Sequence, residues 1–107
     1  MIFNFLKSVP SISTKELESI LSSKIQLIDV RSPAEYQQGH LPFSKNIPLN
    51  RVQSFKPKHS NQPIYVMCQS GVRSKSASRI LQKKGYEVKS VRGGMSQWSG
   101  SIKGGNK

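Results

Sequence analysis

Apolar residues along the chain gather in short runs bounded by proline, glycine or polar residues, and the spacing within the runs changes from one to the next. Ser13-Thr14-Lys15-Glu16 has the form of a capping box, a serine followed three residues later by glutamate. Leu17, Ile20 and Leu21 then share one face, so a short amphipathic helix is predicted to about Ser22. Ile25 to Val30 is mostly apolar and too short for an ordinary helix, and reads as a buried strand ending near Asp29. Pro33 suits the first turn of a helix running to Gln38, with Gly39 as its stop. Asn46-Ile47 is a short strand ended by Pro48. Residues 50–62, broken by Pro57, Ser60 and Asn61, carry no period.

Ile64-Tyr65-Val66-Met67 is the clearest strand of the chain, β-branched, aromatic and apolar throughout. Cys68 to Arg73 follows as a polar loop with one glycine. A helix is expected from about Ser74 to Lys84, with Ala77, Ile80 and Leu81 inward, Lys75, Arg79 and Lys83 in water, and Gly85 as C-cap. Val88 to Val91 makes a last strand, Gly93-Gly94 a turn and Met95 to Trp98 a short closing helix. Strands alternating with helices predict an α/β domain built on a mainly parallel sheet. One domain accounts for all 107 residues, its core from about 12 to 99 and a glycine- and lysine-rich flexible tail from 100 to 107.

Seventeen Lys and Arg against five acids give a net charge of +12. Such a charge gathers anions: small oxyanions, nucleic acid or acidic protein surfaces. The basic residues are spread along the chain, and aromatics are 7% of it with no basic–aromatic strip, so nucleic acid is not the expected partner. No apolar stretch approaches the roughly 20 residues of a membrane helix. Met1 to Lys7 has an apolar cluster without a basic leader or cleavage site. A soluble, cytoplasmic protein without a membrane partner is expected. The single cysteine can form no internal disulfide and suits a reducing compartment.

In parallel α/β sheets, ligands bind beyond the carboxyl ends of the strands, and Asp29 and Cys68 both fall at such ends. A thiol is a nucleophile as thiolate, and the surroundings of Cys68 favour the anion in three ways. It precedes a helix, whose first amides and dipole stabilise negative charge. The loop glycine lets successive N–H groups curl into a nest. Arg73 adds a permanent positive charge able to fork onto a second anion. The bland alternative, a cysteine packed under the sheet with the loop as connector, accounts for none of these together.

Ile28-Asp29-Val30-Arg31, Pro33, Glu35-Tyr36, Gly39-His40, Asn46-Ile47-Pro48, the apolar strand into Cys68, Ser70-Gly71, Arg73-Ser74 and Gly93-Gly94-Met95 with Trp98 resemble a single-domain rhodanese-like sulfurtransferase in order and spacing. The resemblance covers roughly Ile12 to Ser99 and implies a rhodanese fold, an α/β domain whose central, mainly parallel sheet has helices on both faces. It implies that Cys68 accepts a sulfane sulfur as a persulfide, that the amides of Gln69, Ser70, Gly71, Val72 and Arg73 hold its terminal sulfur, and that Arg73 helps receive the donor. Asp29 and Arg31 would support the loop, and Glu35 and His40 would lie behind it. The implied partners are a small anionic donor, thiosulfate or a persulfide, and a thiol or cyanide-like acceptor, which an acidic protein could provide. Neither a cofactor nor a metal site is implied. Phe43-Ser44 stands where relatives carry a small Gly-Ala pair, and residues 50–62 are short where many relatives have a helix, so the rim of the pocket is expected to differ.

Two other readings stay open at this level. Cysteine-loop phosphatases and arsenate reductases place one residue more between cysteine and arginine than the four found here, which favours sulfur over a tetrahedral oxyanion. A rhodanese-like module that binds a partner without turnover is the other. The chain has no second cysteine to resolve a persulfide, so a bound sulfur would leave to an external acceptor.

Overall fold

A computed structural model of the chain describes residues 8–104. The elements are β1 (Ser11–Ile12), α1 (Thr14–Ile20), β2 (Gln26–Asp29), α2 (Pro33–Gln38), β3 (Ser44–Asn46), a 3₁₀ turn (Leu49–Ser54), β4 (Ile64–Met67), α3 (Val72–Lys83), β5 (Val88–Val91) and a second 3₁₀ turn (Gly94–Gln97). All strand pairs are parallel, and the sheet runs β1-β5-β4-β2-β3. The expected α/β architecture is therefore present, with β2 and β4 at its centre.

The side-chain period of two splits the two central strands between two cores. Ile28, Ile64 and Val66 face α3, where Ala77, Leu81, Val52 and Val88 complete one cluster. Leu27, Tyr65 and Met67 face the other way and pack with Leu17 of α1, Ile12, Leu41 and Val91. Asp29 pairs in register with Met67, so both central strands end level and Cys68 stands one step beyond the sheet, on the α3 side.

Both early helices are stopped from fraying by capping boxes. Ser13 and Glu16 form one at α1, as its sequence predicts, and Ser32 and Glu35 form a second at α2, ahead of Pro33. α3 begins two residues earlier than expected, because Gly71 at φ 104° turns the chain directly into it. β1 has no counterpart in the sequence reading: two residues long, it is held by Ser90 N–H to Pro10 and Arg92 N–H to Ile12. Within the segment read as patternless, Leu49–Ser54 winds into a 3₁₀ turn whose Val52 is fully buried. Lys84 donates to the carbonyls of Gln53 and Phe55, tying that segment to the end of α3.

Phe43 takes φ 69°, unlike any other non-glycine among the described residues. The turn Leu41–Ser44 has proline second and this residue third, the arrangement that ordinarily calls for glycine in third place. Ser44 closes it, donating from both N–H and Oγ to the Leu41 carbonyl. Phe43 lines a cleft with Ile25, Phe55 and Lys45 at the opening ends of the strands, so this departure leaves the Cys68 rim untouched. Of the tail expected over residues 100–107, residues 105–107 lie outside the described residues and the stretch before them is hydrogen-bonded at two points. Lys103 pairs with His40 in both directions, and Trp98 donates to Ser101. No described helix is long and apolar enough to cross a membrane.

Candidate active site

The site is built where β4 ends. Cys68 Sγ receives the N–H of Gly71 at 2.9 Å and the N–H of Ser74 at 3.3 Å. The residue is 1% exposed. Gly71 makes this possible, since its left-handed backbone curls the chain back over the sulfur and launches α3 beyond it. The amides of Gln69, Ser70, Val72 and Arg73 have no acceptor among the described residues. The loop thus holds a set of N–H groups around one sulfur, two already aimed at it and four unspent, at the N-terminus of a twelve-residue helix.

Three braces fix the loop. Met95 N–H donates to the Cys68 carbonyl at 2.8 Å, and Ser96 N–H to the Gln69 carbonyl at 2.9 Å. This close approach depends on Gly94, buried at φ 55°, because a Cβ there would collide with the Cys68 carbonyl. Ser74 Oγ donates to the Gly71 carbonyl and shares a buried hydrogen bond of 2.8 Å with Ser90 on β5. Neither Gly94 nor Ser74 stands out in the sequence reading as a site residue. The Gly-Gly pair closing a strand was the available signal for the first. The second depends on a partner sixteen residues away.

Two arginines flank the loop. Arg31 is buried and forks onto Asp29, with Nε–Oδ1 at 3.0 Å and Nη2–Oδ2 at 2.8 Å, and it donates to the Gly39 carbonyl at 2.7 Å. Its reach toward the loop is a 3.5 Å contact with Gln69 Oε1. Asp29 and Arg31 thus meet each other and not the sulfur, joining the end of β2 to the end of α2. Arg73 is expected from the sequence to offer its fork to a donor. The fork is instead closed on Glu35 of α2, with Nη1–Oε1 at 2.7 Å and Nη2–Oε2 at 2.9 Å. That bond and the Ser32 backbone N–H hold the Glu35 carboxyl down at about 2. Glu35 in turn raises Arg73, which also feels the nearby Cys68.

Behind this pair, His40 stacks on Tyr36 with ring centres 3.7 Å apart, and its Nδ1 lies 2.7 Å from the Tyr36 carbonyl, so Nδ1 carries the proton. His40 is thereby a structural turn residue. No grouping of His, Cys, Asp and Glu suited to a metal occurs among the described residues.

A strand, a cysteine, a ring of amides and a helix opened by arginine, braced by a glycine pair, match a known family along most of the chain. Residues 13–101 fit the model of the rhodanese-like domain. The chain belongs to the rhodanese-like family. It is 42% identical to the uncharacterized protein YqhL of Bacillus subtilis over 75% of its own length and 65% of that protein's. It is 33% identical to the thiosulfate sulfurtransferase GlpE of Pseudoalteromonas translucida, over 77% of this chain and 80% of that one. A rhodanese-like domain protein of Staphylococcus aureus superposes with a TM-score of 0.78 at 33% identity, over 92% of this chain and 100% of the other. The chain spans less than two thirds of the length of the first curated relatives it matches. Its rhodanese fold and its kinship with sulfurtransferases follow from these matches.

Proposed function

We propose that this rhodanese-like domain is a sulfurtransferase that carries sulfane sulfur on Cys68 as a persulfide. The observation that supports it best is the lone thiol at the strand end with two N–H groups on its sulfur and four more unspent beside it. With thiosulfate as donor, the Cys68 thiolate attacks the sulfane sulfur, the S–S bond to the sulfonate breaks, and sulfite leaves with the electron pair. One negative charge enters on the thiolate and one remains on the outer sulfur of the persulfide, so no oxidant or reductant is needed. An acceptor thiolate or cyanide then attacks that outer sulfur and regenerates the Cys68 thiolate.

The unspent amides of Gln69, Ser70, Val72 and Arg73 suit a terminal sulfur standing over Sγ. The depth of Cys68 suits a slim sulfur atom better than the reacting centre of a phosphate ester, in keeping with the short Cys68–Arg73 spacing. Arg73 supports the site as a fixed charge beside the sulfur. Its fork, closed on Glu35, is not the grip that receives the donor. Asp29, Arg31 and Gly94 keep the loop in shape. A small anionic sulfur compound is the donor class, and the acceptor is external because the chain has no second thiol.

Intact-mass measurement after incubation with thiosulfate tests the assignment. One added sulfur atom on the wild-type chain, removed by cyanide as thiocyanate and absent from Cys68→Ser, is the expected outcome. Thiocyanate production by Cys68→Ser, or a wild-type mass that never changes, sinks the sulfurtransferase reading and leaves a binding module.

A further inference from the structure

A second feature touches the same loop from outside. α3 covers β4 and β5 on one face of the sheet, leaving the edge strand β1 without a helix above it. The gap is a cleft of about 420 Å³ whose walls include Ser70 and Gly71 of the loop, and Lys75, Arg79 and Arg92. Among the described residues, its lining contains no carboxylate and no aromatic ring. The ion pairs among the described residues are Asp29–Arg31 and Glu35–Arg73, so Lys75 and Arg79 are not neutralised. Glu16, lowered chiefly by the Ser13 N–H and to a smaller extent by Arg92, is engaged on that N–H as a helix cap. Arg92 is anchored by Ser11 Oγ at 2.7 Å.

We propose that this cationic cleft docks an acidic, extended segment of the protein that takes sulfur from Cys68. The inference rests on the sulfur-transfer reading above and adds the partner class and its seat. The cations are arrayed along the cleft, as a chain-like ligand requires. Lys75 and Arg79 are one helical turn apart on the same face, an advance of about 6 Å. Two residues of extended chain advance about 6.8 Å, so acids at alternate positions of a segment meet both in turn. Gly71 forms a wall of the cleft and at the same time donates its N–H to Cys68 Sγ, so a docked segment ends beside the reacting sulfur. Val72, 71% exposed at the same lip, offers the segment an apolar contact. The described lining offers charge and no aromatic platform, which suits an acidic peptide better than bases that need stacking.

The probe is a labelled peptide, Glu-Ser-Glu-Ser-Glu-Gly-Cys, beside its glutamine counterpart and the serine-ended forms of both. Fluorescence anisotropy of the serine-ended pair reads docking without chemistry, on the full chain. The acidic peptide is expected to bind at least about tenfold more tightly than the glutamine peptide. In Lys75→Glu/Arg79→Glu that preference disappears, while sulfur transfer to the small thiol 2-mercaptoethanol stays at the wild-type rate and certifies the fold. Transfer to the cysteine-ended acidic peptide shows a raised KM in the double variant. Equal binding of acidic and neutral peptides, or a preference that survives the charge reversal, overturns the proposal. So does an oligothymidylate that displaces the acidic peptide at lower concentration than the peptide itself requires. If Cys68 never gains sulfur while the acidic peptide still binds, the transfer reading fails and the docking surface stands. If sulfur loads while acidic and neutral thiol peptides accept it equally, the reverse holds.

Discussion

Shortly after β2 and shortly after β4 an arginine forks onto a carboxylate, Arg31 in the turn before α2 and Arg73 in the first turn of α3, yet the two pairs live in different media. Asp29 and Arg31 lie under the sheet's rim, with side chains 0% and 5% exposed. Glu35 and Arg73 lie on it, 36% and 35% exposed. Two charges in the interior have lost their water and depend on each other and on the hydrogen bonds around them. Asp29 accordingly also accepts from the Arg31 N–H, and Arg31 also reaches the Gly39 carbonyl. At the rim, water screens both charges and the pair contributes little to stability. The same motif thus serves as a buried rivet beyond β2 and as a solvent-screened charge held near Cys68 beyond β4.

Asp29→Ala has the largest expected effect. It leaves Arg31 buried without its counter-ion, a change that costs about 3–5 kcal/mol. Urea unfolding monitored by Trp98 fluorescence measures it, and a loss of less than about 1 kcal/mol would erase the distinction between the two turns. Arg73→Ala should invert the profile. Stability falls by no more than about 1 kcal/mol. Turnover with thiosulfate falls at least roughly tenfold, the rate equivalent of about 1.4 kcal/mol at the transition state. The loss is greater with thiosulfate than with a persulfide donor of lower charge, since the missing cation faces a dianion. Equal losses with both donors would make Arg73 a support of the loop alone.

The same contrast governs what the sequence could reveal. The strand Ile64–Met67, the cysteine at its end and the capping box at Ser13 are legible because each is written in adjacent residues obeying a local rule. The loop was legible for the same reason, and Gly71 marked its turn. The Glu35–Arg73 pair, 38 residues apart, is invisible to periodicity, and nothing local tells that the Arg73 fork is occupied. β1 escaped because two residues gain strand geometry only from β5, almost eighty residues later. The edge strand β3 was placed at Asn46-Ile47 and lies at Ser44–Asn46, since a polar, half-exposed strand has no alternation to register it. Phe43 is the reverse case: the family resemblance implies a small residue at that position, and the phenylalanine takes the left-handed backbone of the turn nonetheless.

The smallest expected effect is the most specific to the rim pair. Bound by Arg73 and the Ser32 N–H, the Glu35 carboxyl is lowered from 4.5 to about 2. Between those two values the unfolded chain binds a proton that the native chain refuses, so stability falls as pH falls through the window. The contribution is whole above about pH 4.5, is lost progressively toward pH 2, and is gone below it. Because both partners are about a third exposed, solvent screening keeps it below about 1 kcal/mol. Glu35→Gln removes the titrating group but retains a side chain able to meet Arg73. Urea midpoints taken from pH 6 to pH 2.5 should show the variant slightly less stable at the upper end and the two curves converging at the lower. Parallel wild-type and Glu35→Gln curves would mean that the rim pair adds nothing to folding and that its value lies entirely in the charge held beside Cys68.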